Sequence, residues 1–433
     1  MKNVCLCLMM IAALVMTVPD AGAQEYALKD LYQQALKNSE QIKFAEENVY
    51  IAQMGRNKAW SLLIPKVTAF GTYNRFSEEK YTIAGMLIQP EQSGTWGIRA
   101  DQAFSLSARE LDALKMAGQS IEKSALDLDS AKSDFVLAVA ASYYDTLKAK
   151  KALEIAAANL ARLTQYRHFV ERRVKIGELT KTALLRADGE LSGARADYLR
   201  ATNALTMARA ALIRITGIEE GFRLREEQET ALPEPAGLDH LQRTALAERT
   251  DLKSSDLQTQ IALQQVKYAR GAFWPNLGVF AIYNRADQTP VLSTLNRESA
   301  LAGVSLNFPF FEGGLRMAEL REAKARQRQT QLVYEDLKKS VELELTGAYL
   351  ELETLKGSVT FLKDQQLFAE DNYNAVLRQF ENGLATSLDV MDANALLLSA
   401  QKNVAEALYN YQMAHLKIKK SSGTLLESVA ANP

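Results

Sequence analysis

Two halves of this chain repeat one another. The tripeptide Tyr73-Asn74-Arg75 recurs 210 positions later as Tyr283-Asn284-Arg285. Further along the spacing is 206, and the matched pairs are Gly97 with Gly303, Phe104 with Phe310, Gly177 with Gly383 and Thr180 with Thr386. The change in spacing lies between two predicted strands of each half, in a loop, where differences in length are tolerated. The fold is therefore predicted to be a duplicated structural unit.

Each half contains the same predicted elements in the same order. A helix at 28–60 or 239–272 is followed by two short strands, at about 65–76 and 95–105 in the first half and 275–286 and 299–310 in the second. A long helix then occupies about 107–175 or 314–382, and after a glycine a third helix returns at about 180–215 or 386–421. The predicted domains are a signal peptide (1–23), a first repeat (24–217, tip at 177), a linker (218–238), a second repeat (239–423, tip at 383) and a C-terminal tail (424–433).

The long helices have the apolar spacing of a coiled coil. In the second half Leu345, Ala348, Leu352 and Leu355 alternate steps of three and four residues. This seam predicts helix packing and carries no chemistry of its own. At 1.5 Å per residue each long helix is roughly 100 Å long. The two shorter helices of each half together have about the same length, which allows them to stack end to end against the long one.

The N-terminal residues have the pattern of a secretory signal peptide. An apolar stretch at 4–18 follows a lysine and precedes Ala21-Gly22-Ala23, a small-residue cleavage site. We expect cleavage before Gln24 rather than a retained anchor, because the apolar stretch is shorter than the ~20 residues that span a bilayer. Cleavage would remove Cys5 and Cys7, the two cysteines of the chain.

The composition argues against several classes of function. Lys plus Arg (51) and Asp plus Glu (52) nearly cancel, and no basic cluster contains interleaved aromatic residues, so nucleic acid is not an expected partner. The three histidines, His168, His240 and His415, have no metal-ligand partner at helical spacing, and the sequence has no phosphate loop or nucleophile motif. We therefore predict a protein that is not an enzyme and that binds no metal or cofactor.

The predicted strands alternate in polarity. Trp96, Ile98 and Ala100 would lie on one face of their strand, with Arg99 and Asp101 on the other. Segments of ~10 residues with this period are typical of membrane β-barrels, whereas a soluble β-domain with one buried face is the alternative for any single strand. Four strands cannot close a barrel, since known barrels start at ~8 strands, and open sheet edges do not occur in lipid. If the strands span a membrane, several chains must therefore share one barrel.

These features together resemble the TolC-like outer-membrane efflux protein family, over essentially the whole chain after residue 23. The specific motifs are "IPKVTAFGTYNR", "WPNLGVFAIYNR", "LNFPFFEGGLR" and "GLATSLDVMDANALLLSAQ". The first half departs from the pattern, since "AFSLSARELD" lacks the Pro and Gly-Gly of its counterpart. The predicted fold class is mainly α with β: a duplicated strand-strand-helix-hairpin unit.

The resemblance implies an assembly and a function. Three identical chains would form a twelve-stranded outer-membrane β-barrel that contacts lipid and continues as a long periplasmic α-helical barrel. This homotrimer would be the exit duct of a tripartite efflux or type I secretion system. It would dock a periplasmic adaptor protein and an inner-membrane transporter, and conduct substrates passively across the periplasm and outer membrane.

Two sets of candidate site residues follow from the strands and the helix hairpins. Tyr73, Trp96 and Tyr283 are predicted near strand ends, where amphipathic rings suit a membrane interface, although ordinary strand packing explains each ring equally well. The hairpin tips are at Gly177 with Thr180 and at Gly383 with Thr386, because glycine suits the left-handed turn that ends a helix. By the resemblance, these tips form the periplasmic entrance that meets the adaptor.

Asp389 and Asp392 are the candidate selectivity residues at that entrance. They are spaced i,i+3 and so share a helix face, and in a three-fold assembly each would form a ring of carboxylates, which favours cations. The alternative is local, because Thr386 to Asp389 resembles a capping box with Asp in place of Glu. The first half has Ala183 and Arg186 at the matching positions, so the ring would come from the second half alone. Phe380 and Ala385 offer no polar group for a latch between the two halves.

Two other classes of protein are alternatives to a channel. A periplasmic adaptor also contains a coiled-coil hairpin, but it would have one hairpin within β-rich flanks, whereas this chain is predicted to have two. A structural envelope protein or adhesin without a pore would not explain the paired strands.

Overall fold

The structure is a computed structural model that describes residues 25–226, 236–292 and 295–430. The expected signal peptide and Gln24 lie outside the described residues, as do residues 227–235 of the predicted linker and the last three residues of the predicted tail. Along the chain the elements are β1 (Glu25–Tyr26), α1 (Leu28–Asn38), α2 (Glu40–Ser61), β2 (Lys66–Arg75), β3 (Lys80–Tyr81), β4 (Leu87–Gln89), β5 (Gln92–Ser105), α3 (Arg109–Lys175), α4 (Lys181–Thr216), β6 (Arg223–Leu224), α5 (Leu238–Glu248), α6 (Thr250–Gly271), β7 (Asn276–Thr289), β8 (Glu298–Asn307), α7 (Leu315–Glu381), α8 (Ser387–Ser421) and α9 (Leu425–Ala430).

The chain divides into two compact units, and each draws segments from both sequence repeats. The helical unit comprises Met1–Glu40, Lys132–Arg243 and Glu344–Pro433, and the sheet unit comprises Gln41–Ala131 and Thr244–Leu343. The two sequence repeats therefore do not coincide with the two compact units, because each compact unit contains segments of both repeats. The predicted fold class, mainly α with a duplicated strand-strand-helix-hairpin order, is confirmed.

The first helix of each half is broken, which corrects the prediction of one continuous helix. Ser39 separates α1 from α2, and Arg249 separates α5 from α6, each with an extended backbone (φ −64°, ψ 124° and φ −62°, ψ 122°). The guanidinium of Arg249 pairs with Asp251 at 2.7 Å. Neither break contains glycine or proline, so the sequence offers no breaker signal there. The two breaks are 210 positions apart and so belong to the duplicated unit.

Four strands of the sheet unit form one antiparallel sheet in the order β2-β5-β7-β8. Its two central strands come from different repeats, and β5 pairs with β7 over fourteen residues, from Gln92 opposite Thr289 to Ser105 opposite Asn276. The strands β2 and β8 are the edges of this sheet. Two small pairs were not predicted: β1 with β6 in parallel, and β3 with β4 in the loop that follows β2.

One core cluster of the helical unit lies where α3, α4, α7 and α8 pack together near the two hairpin tips. Its buried residues are Leu163, Tyr166, Val170, Ala187, Leu191, Ala194, Ala369, Tyr373, Phe380, Val390, Met391, Ala393, Leu397 and Ala400. Alanine is frequent in this list, and small side chains allow long helices to approach closely. Among the described residues, no helix is sufficiently long and apolar to cross a lipid bilayer.

Candidate functional site: an exposed sheet face and two helix-hairpin tips

One face of the four-stranded sheet is apolar and exposed. The register places alternate residues of all four strands on this face, because directly opposite residues of antiparallel strands point the same way. Its large exposed side chains are Val67, Tyr73, Trp96, Ile98, Phe104, Val279, Tyr283, Val304 and Leu306. A monomeric water-soluble domain rarely exposes so large an apolar patch. We call this surface the apolar face.

The three predicted interface aromatics all lie on the apolar face. The rings of Trp96 and Tyr283 contact edge to face at 6.3 Å between centroids, and the hydroxyl of Tyr73 donates to Gln92 at 3.0 Å. Tyr73 is near the loop end of β2, whereas Trp96 is the fifth residue of β5, because this strand begins at Gln92 rather than near residue 95 as predicted. Tyr283 is instead in the middle of β7, because this strand continues to Thr289 rather than ending near residue 286 as predicted. The structure does not test their contact with lipid, which stays a prediction.

The opposite face of the sheet is mostly polar and carries two phenylalanine rings over glycines. Phe70 lies opposite Gly97 and Phe280 opposite Gly303. A Cβ atom added at either glycine would come within 2.8 Å of the phenylalanine ring. The position of each ring therefore requires the glycine opposite it, and each repeat has one such pair. Arg99 pairs with Asp101 at 2.7 Å on the same face.

Sequence reasoning missed exposed aromatic residues where strands join helices. Trp60, Trp274, Phe310 and Phe311 are all exposed there. Phe310 and Phe311 follow the end of β8, and they are 90% and 85% exposed. The motif "LNFPFFEGGLR" contains both residues, so the signal was present as a cluster of aromatic residues directly after an alternating strand.

The hairpin tips have the local geometry that the sequence predicts. Gly177 and Gly383 both adopt a left-handed backbone, with φ of 79° and 75°, which costs an L-residue about 1–2 kcal/mol. The hydroxyl of Thr180 accepts a hydrogen bond from the Ala183 N–H and caps α4. In the same way Thr386 caps α8 by accepting from the Asp389 N–H at 3.3 Å.

Asp389 completes a capping box at the start of α8. Its Oδ2 accepts from the Thr386 N–H at 2.8 Å and from the Thr386 hydroxyl at 2.7 Å. These hydrogen bonds hold the pKa of the Asp389 carboxyl below its ordinary value. Asp392, one turn further along, is exposed and has no hydrogen bond or ion pair with any described residue. The local alternative therefore accounts for Asp389, and it does not account for Asp392.

The two hairpins contact one another near their tips through residues that sequence reasoning missed. The Tyr166 hydroxyl donates to Ser387 at 2.9 Å, and the Arg173 guanidinium donates to the Glu381 carbonyl at 2.6 Å. Burial raises the pKa of the Tyr166 phenol. Phe380 supplies a ring that packs 5.5 Å from that of Tyr166. Because 221 residues separate Tyr166 from Ser387, no local pattern indicates this contact.

The described residues contain no group of three or more His, Cys, Asp or Glu side chains that could hold a metal ion. His168 lies 3.8 Å from Glu171 and is exposed. His415 packs edge to face against Tyr411 at 4.9 Å, and burial, with a smaller effect from Lys419, lowers its pKa.

The chain is similar to known outer-membrane proteins over most of its length. The family described as "Outer membrane efflux protein" matches residues 31–218 and 241–424. The outer membrane efflux protein BepC of Brucella suis biovar 1 is 22% identical over 391 residues, which are 89% of this chain and 81% of that protein. The outer membrane protein TolC of Vibrio cholerae serotype O1 is 23% identical over 414 residues, 92% of this chain and 91% of that protein. The crystal structure of the Campylobacter jejuni CmeC outer membrane channel superposes with a TM-score of 0.82 at 16% identity, covering 92% of this chain and 86% of that one.

The chain belongs to the outer membrane efflux protein family. It is an outer-membrane efflux channel protein that extends into the periplasm. Each of the two matched segments corresponds to one copy of the internal repeat. The unit that the family describes is therefore a single copy of the repeat.

Proposed function

We propose that three copies of this chain close one outer-membrane β-barrel and continue as a periplasmic helical tunnel. The observation that carries this proposal is the four-stranded sheet, which has two open edges and an exposed apolar face. Unpaired backbone groups in hydrocarbon cost several kcal/mol each, so an open edge has to find a partner strand. Three copies supply twelve strands, which is within the range of membrane barrels.

The long helix α7 supports a wall made of several copies. Its buried residues include Val341, Leu345 and Leu352. A second apolar stripe lies on nearly the opposite side of the helix, at Leu332, Leu343, Leu350, Phe361 and Phe368, all exposed. Leu332, Leu350 and Phe368 are 18 residues apart, which is five helical turns and keeps the stripe straight. A helix with apolar stripes on two sides suits a position between two neighbouring helices, one in its own chain and one in another copy.

The hairpin tips are the proposed docking surface for a periplasmic adaptor that links the duct to an inner-membrane transporter. Ile176 and Leu384 flank the two tip glycines and are exposed at 69% and 81%. Exposed apolar side chains at a preformed turn suit burial against another protein. Substrates then pass through the duct without any chemistry in this chain.

The oligomer is tested on a gel of unboiled outer-membrane fractions. We expect a band of three chains that collapses to the single-chain position after boiling, because closed β-barrels and their helical extensions resist detergent until heated. The boiled half of each sample is the matched control. A single-chain band before boiling, or recovery of the protein only in the soluble fraction, would contradict the proposal.

Asp389 and Asp392 are the proposed cation-selective ring of the periplasmic entrance. The double variant Asp389→Asn, Asp392→Asn removes both charges, while the amide oxygen introduced at position 389 can still accept from Thr386. In single-channel recordings we expect a lower preference for cations and weaker block by multivalent cations. Unchanged selectivity in this variant would leave Asp389 with its capping role alone.

The variant Asp389→Ala is the matched control for the cap. It should lower the melting temperature at neutral pH. A carboxyl whose pKa is lower in the folded state than in the unfolded state stabilises the fold at pH values above its unfolded-state pKa. That contribution is lost as the pH falls through the folded-state pKa, so the difference from the wild-type melting temperature should shrink in acid. Asp392→Ala should leave the melting temperature unchanged.

A further inference from the structure

The pairing of β5 with β7 joins the two repeats within one chain, and we call this strand boundary the internal seam. It gives a pattern for the corresponding strand pairing between chains. Adding 206 to a β5 position gives its counterpart in β8, and subtracting 210 from a β7 position gives its counterpart in β2. The β5–β7 pair is therefore the internal equivalent of a β8–β2 pair between two copies. In β5–β7 each pair of opposite residues has numbers that sum to 381, as Gln92 and Thr289 do.

We propose that β8 of one copy pairs antiparallel with β2 of the next in the register whose residue numbers sum to 377, which follows from the β5–β7 register and the two repeat spacings. This inference rests on the proposed shared barrel. It places Tyr73 opposite Val304, Thr72 opposite Ser305 and Asn74 opposite Gly303 of the neighbouring copy. Their internal equivalents are the observed pairs Tyr283–Ile98, Ile282–Arg99 and Asn284–Gly97.

The register keeps the two faces of the sheet continuous across the seam. Tyr73 and Val304 both lie on the apolar face of their own chain, and Thr72 and Ser305 both lie on the polar face. A slip of one residue would exchange the faces of an entire strand. That slip would place polar side chains of one copy beside apolar side chains of the next.

The glycine pair distinguishes this register from a slip of two residues, which would preserve the faces. In the β5–β7 seam, a Cβ atom on Gly97 would lie 2.3 Å from the Tyr283 carbonyl oxygen and 3.0 Å from the Asn284 Cα. Close approach of these strands therefore requires a glycine opposite this asparagine. Gly303 on β8 is the counterpart of Gly97, and Asn74 on β2 is the counterpart of Asn284. Only the register that sums to 377 places Gly303 and Asn74 opposite one another.

The connectors at the helix end of the sheet explain the exposed aromatic residues. In the internal seam, Leu106 N–H donates to the Pro275 carbonyl at 3.0 Å, and Ser105 is buried at 8% exposure. The equivalent of Ser105 is Phe311, which is 85% exposed in the single chain. Phe311 therefore lies at a position that the strand of the next copy covers.

Disulfide cross-linking tests the register. The only cysteines of the chain, Cys5 and Cys7, lie in the predicted signal peptide, so the cleaved protein would contain only the cysteines that are introduced. Opposite residues in an antiparallel pair have Cα atoms ~4.5–5.5 Å apart, within the ~4.4–6.8 Å that a disulfide needs. The double variant Thr72→Cys, Ser305→Cys, oxidised in outer-membrane fractions, should give a covalent three-chain band that survives boiling and disappears with reductant. Within one chain the two positions lie on opposite edges of the sheet, which are roughly 14 Å apart across three strand spacings. The register offsets them further along the strands, because Thr72 is level with Arg297 rather than with Ser305. The bond therefore has to form between copies.

Two slipped pairs on the same polar face are the controls. Thr72→Cys with Asn307→Cys reports a slip of two residues in one direction, and Thr68→Cys with Asn307→Cys a slip in the other. Diagonal neighbours are ~7–8 Å apart, and we expect their cross-linking to be about tenfold lower than that of the in-register pair. Preferential cross-linking of a slipped pair in a heat-sensitive oligomer would overturn the register while leaving the shared barrel intact. Absence of any oligomer on the unboiled gel would overturn both.

Discussion

The substitution Val304→Arg is expected to remove most of the protein from the outer membrane. Val304 is 67% exposed in the single chain and lies opposite Val279 on the apolar face. A lipid-facing arginine near the midplane of a membrane barrel costs about 2–4 kcal/mol. Three copies would bear this cost three times in one barrel, so assembly should fail rather than weaken slightly. The measurement is the amount of heat-sensitive oligomer in the outer-membrane fraction, compared with total protein.

The matched control is Ser305→Arg, one residue further along β8. Its side chain lies on the polar face, which faces the barrel interior in the proposed assembly, where charged side chains are tolerated. We expect near-normal amounts of oligomer from this variant and a change in conductance. Equal assembly of both variants, or a defect confined to Ser305→Arg, would show that the apolar face does not meet lipid.

Replacing the tip glycine by a bulky residue, Gly383→Val, is expected to abolish export while the oligomer still forms. The backbone at Gly383 is left-handed, with φ of 75°, and a β-branched residue there forces the turn to rearrange. A Cβ atom at this position meets no other atom within 4 Å, so the defect arises from the turn and from the surface that docks a partner. The cost within the chain, about 1–2 kcal/mol, is small beside the burial of the helical core. Gly177→Val should behave in the same way.

The variant Gly383→Asn distinguishes the effect of the turn's backbone from the effect of side-chain bulk at the proposed docking surface. Asparagine tolerates the left-handed conformation at a helix end, so this variant keeps the turn and adds a modest polar side chain. Export by Gly383→Asn with none by Gly383→Val would assign the defect to the shape of the turn. Loss of export in both would assign it to bulk at the docking surface, and export by both would exclude the tip from docking.

Local sequence patterns predict much of the fold. Strand alternation places Trp96 and Ile98 on one face, and the register confirms it. The positions of the tip glycines and of Thr180 and Thr386 also follow from local rules, because helix ends and caps involve residues only a few positions apart. The breaks at Ser39 and Arg249 were missed because an extended residue between two helices needs neither glycine nor proline. The middle position of Tyr283 was missed because strand length depends on the partner strand.

What the sequence determined by itself is the duplicated unit, its helices and hairpin tips, and the two-sided character of its strands. These depend on periodicity and on backbone preferences, which act over a few residues. Only the tertiary structure decided that β5 and β7 join the two repeats, that Tyr166 bonds to Ser387, and that Phe310 and Phe311 stand exposed beside an open edge. Such contacts join residues far apart in the sequence or depend on which surfaces remain uncovered, and both are set by how the whole chain packs.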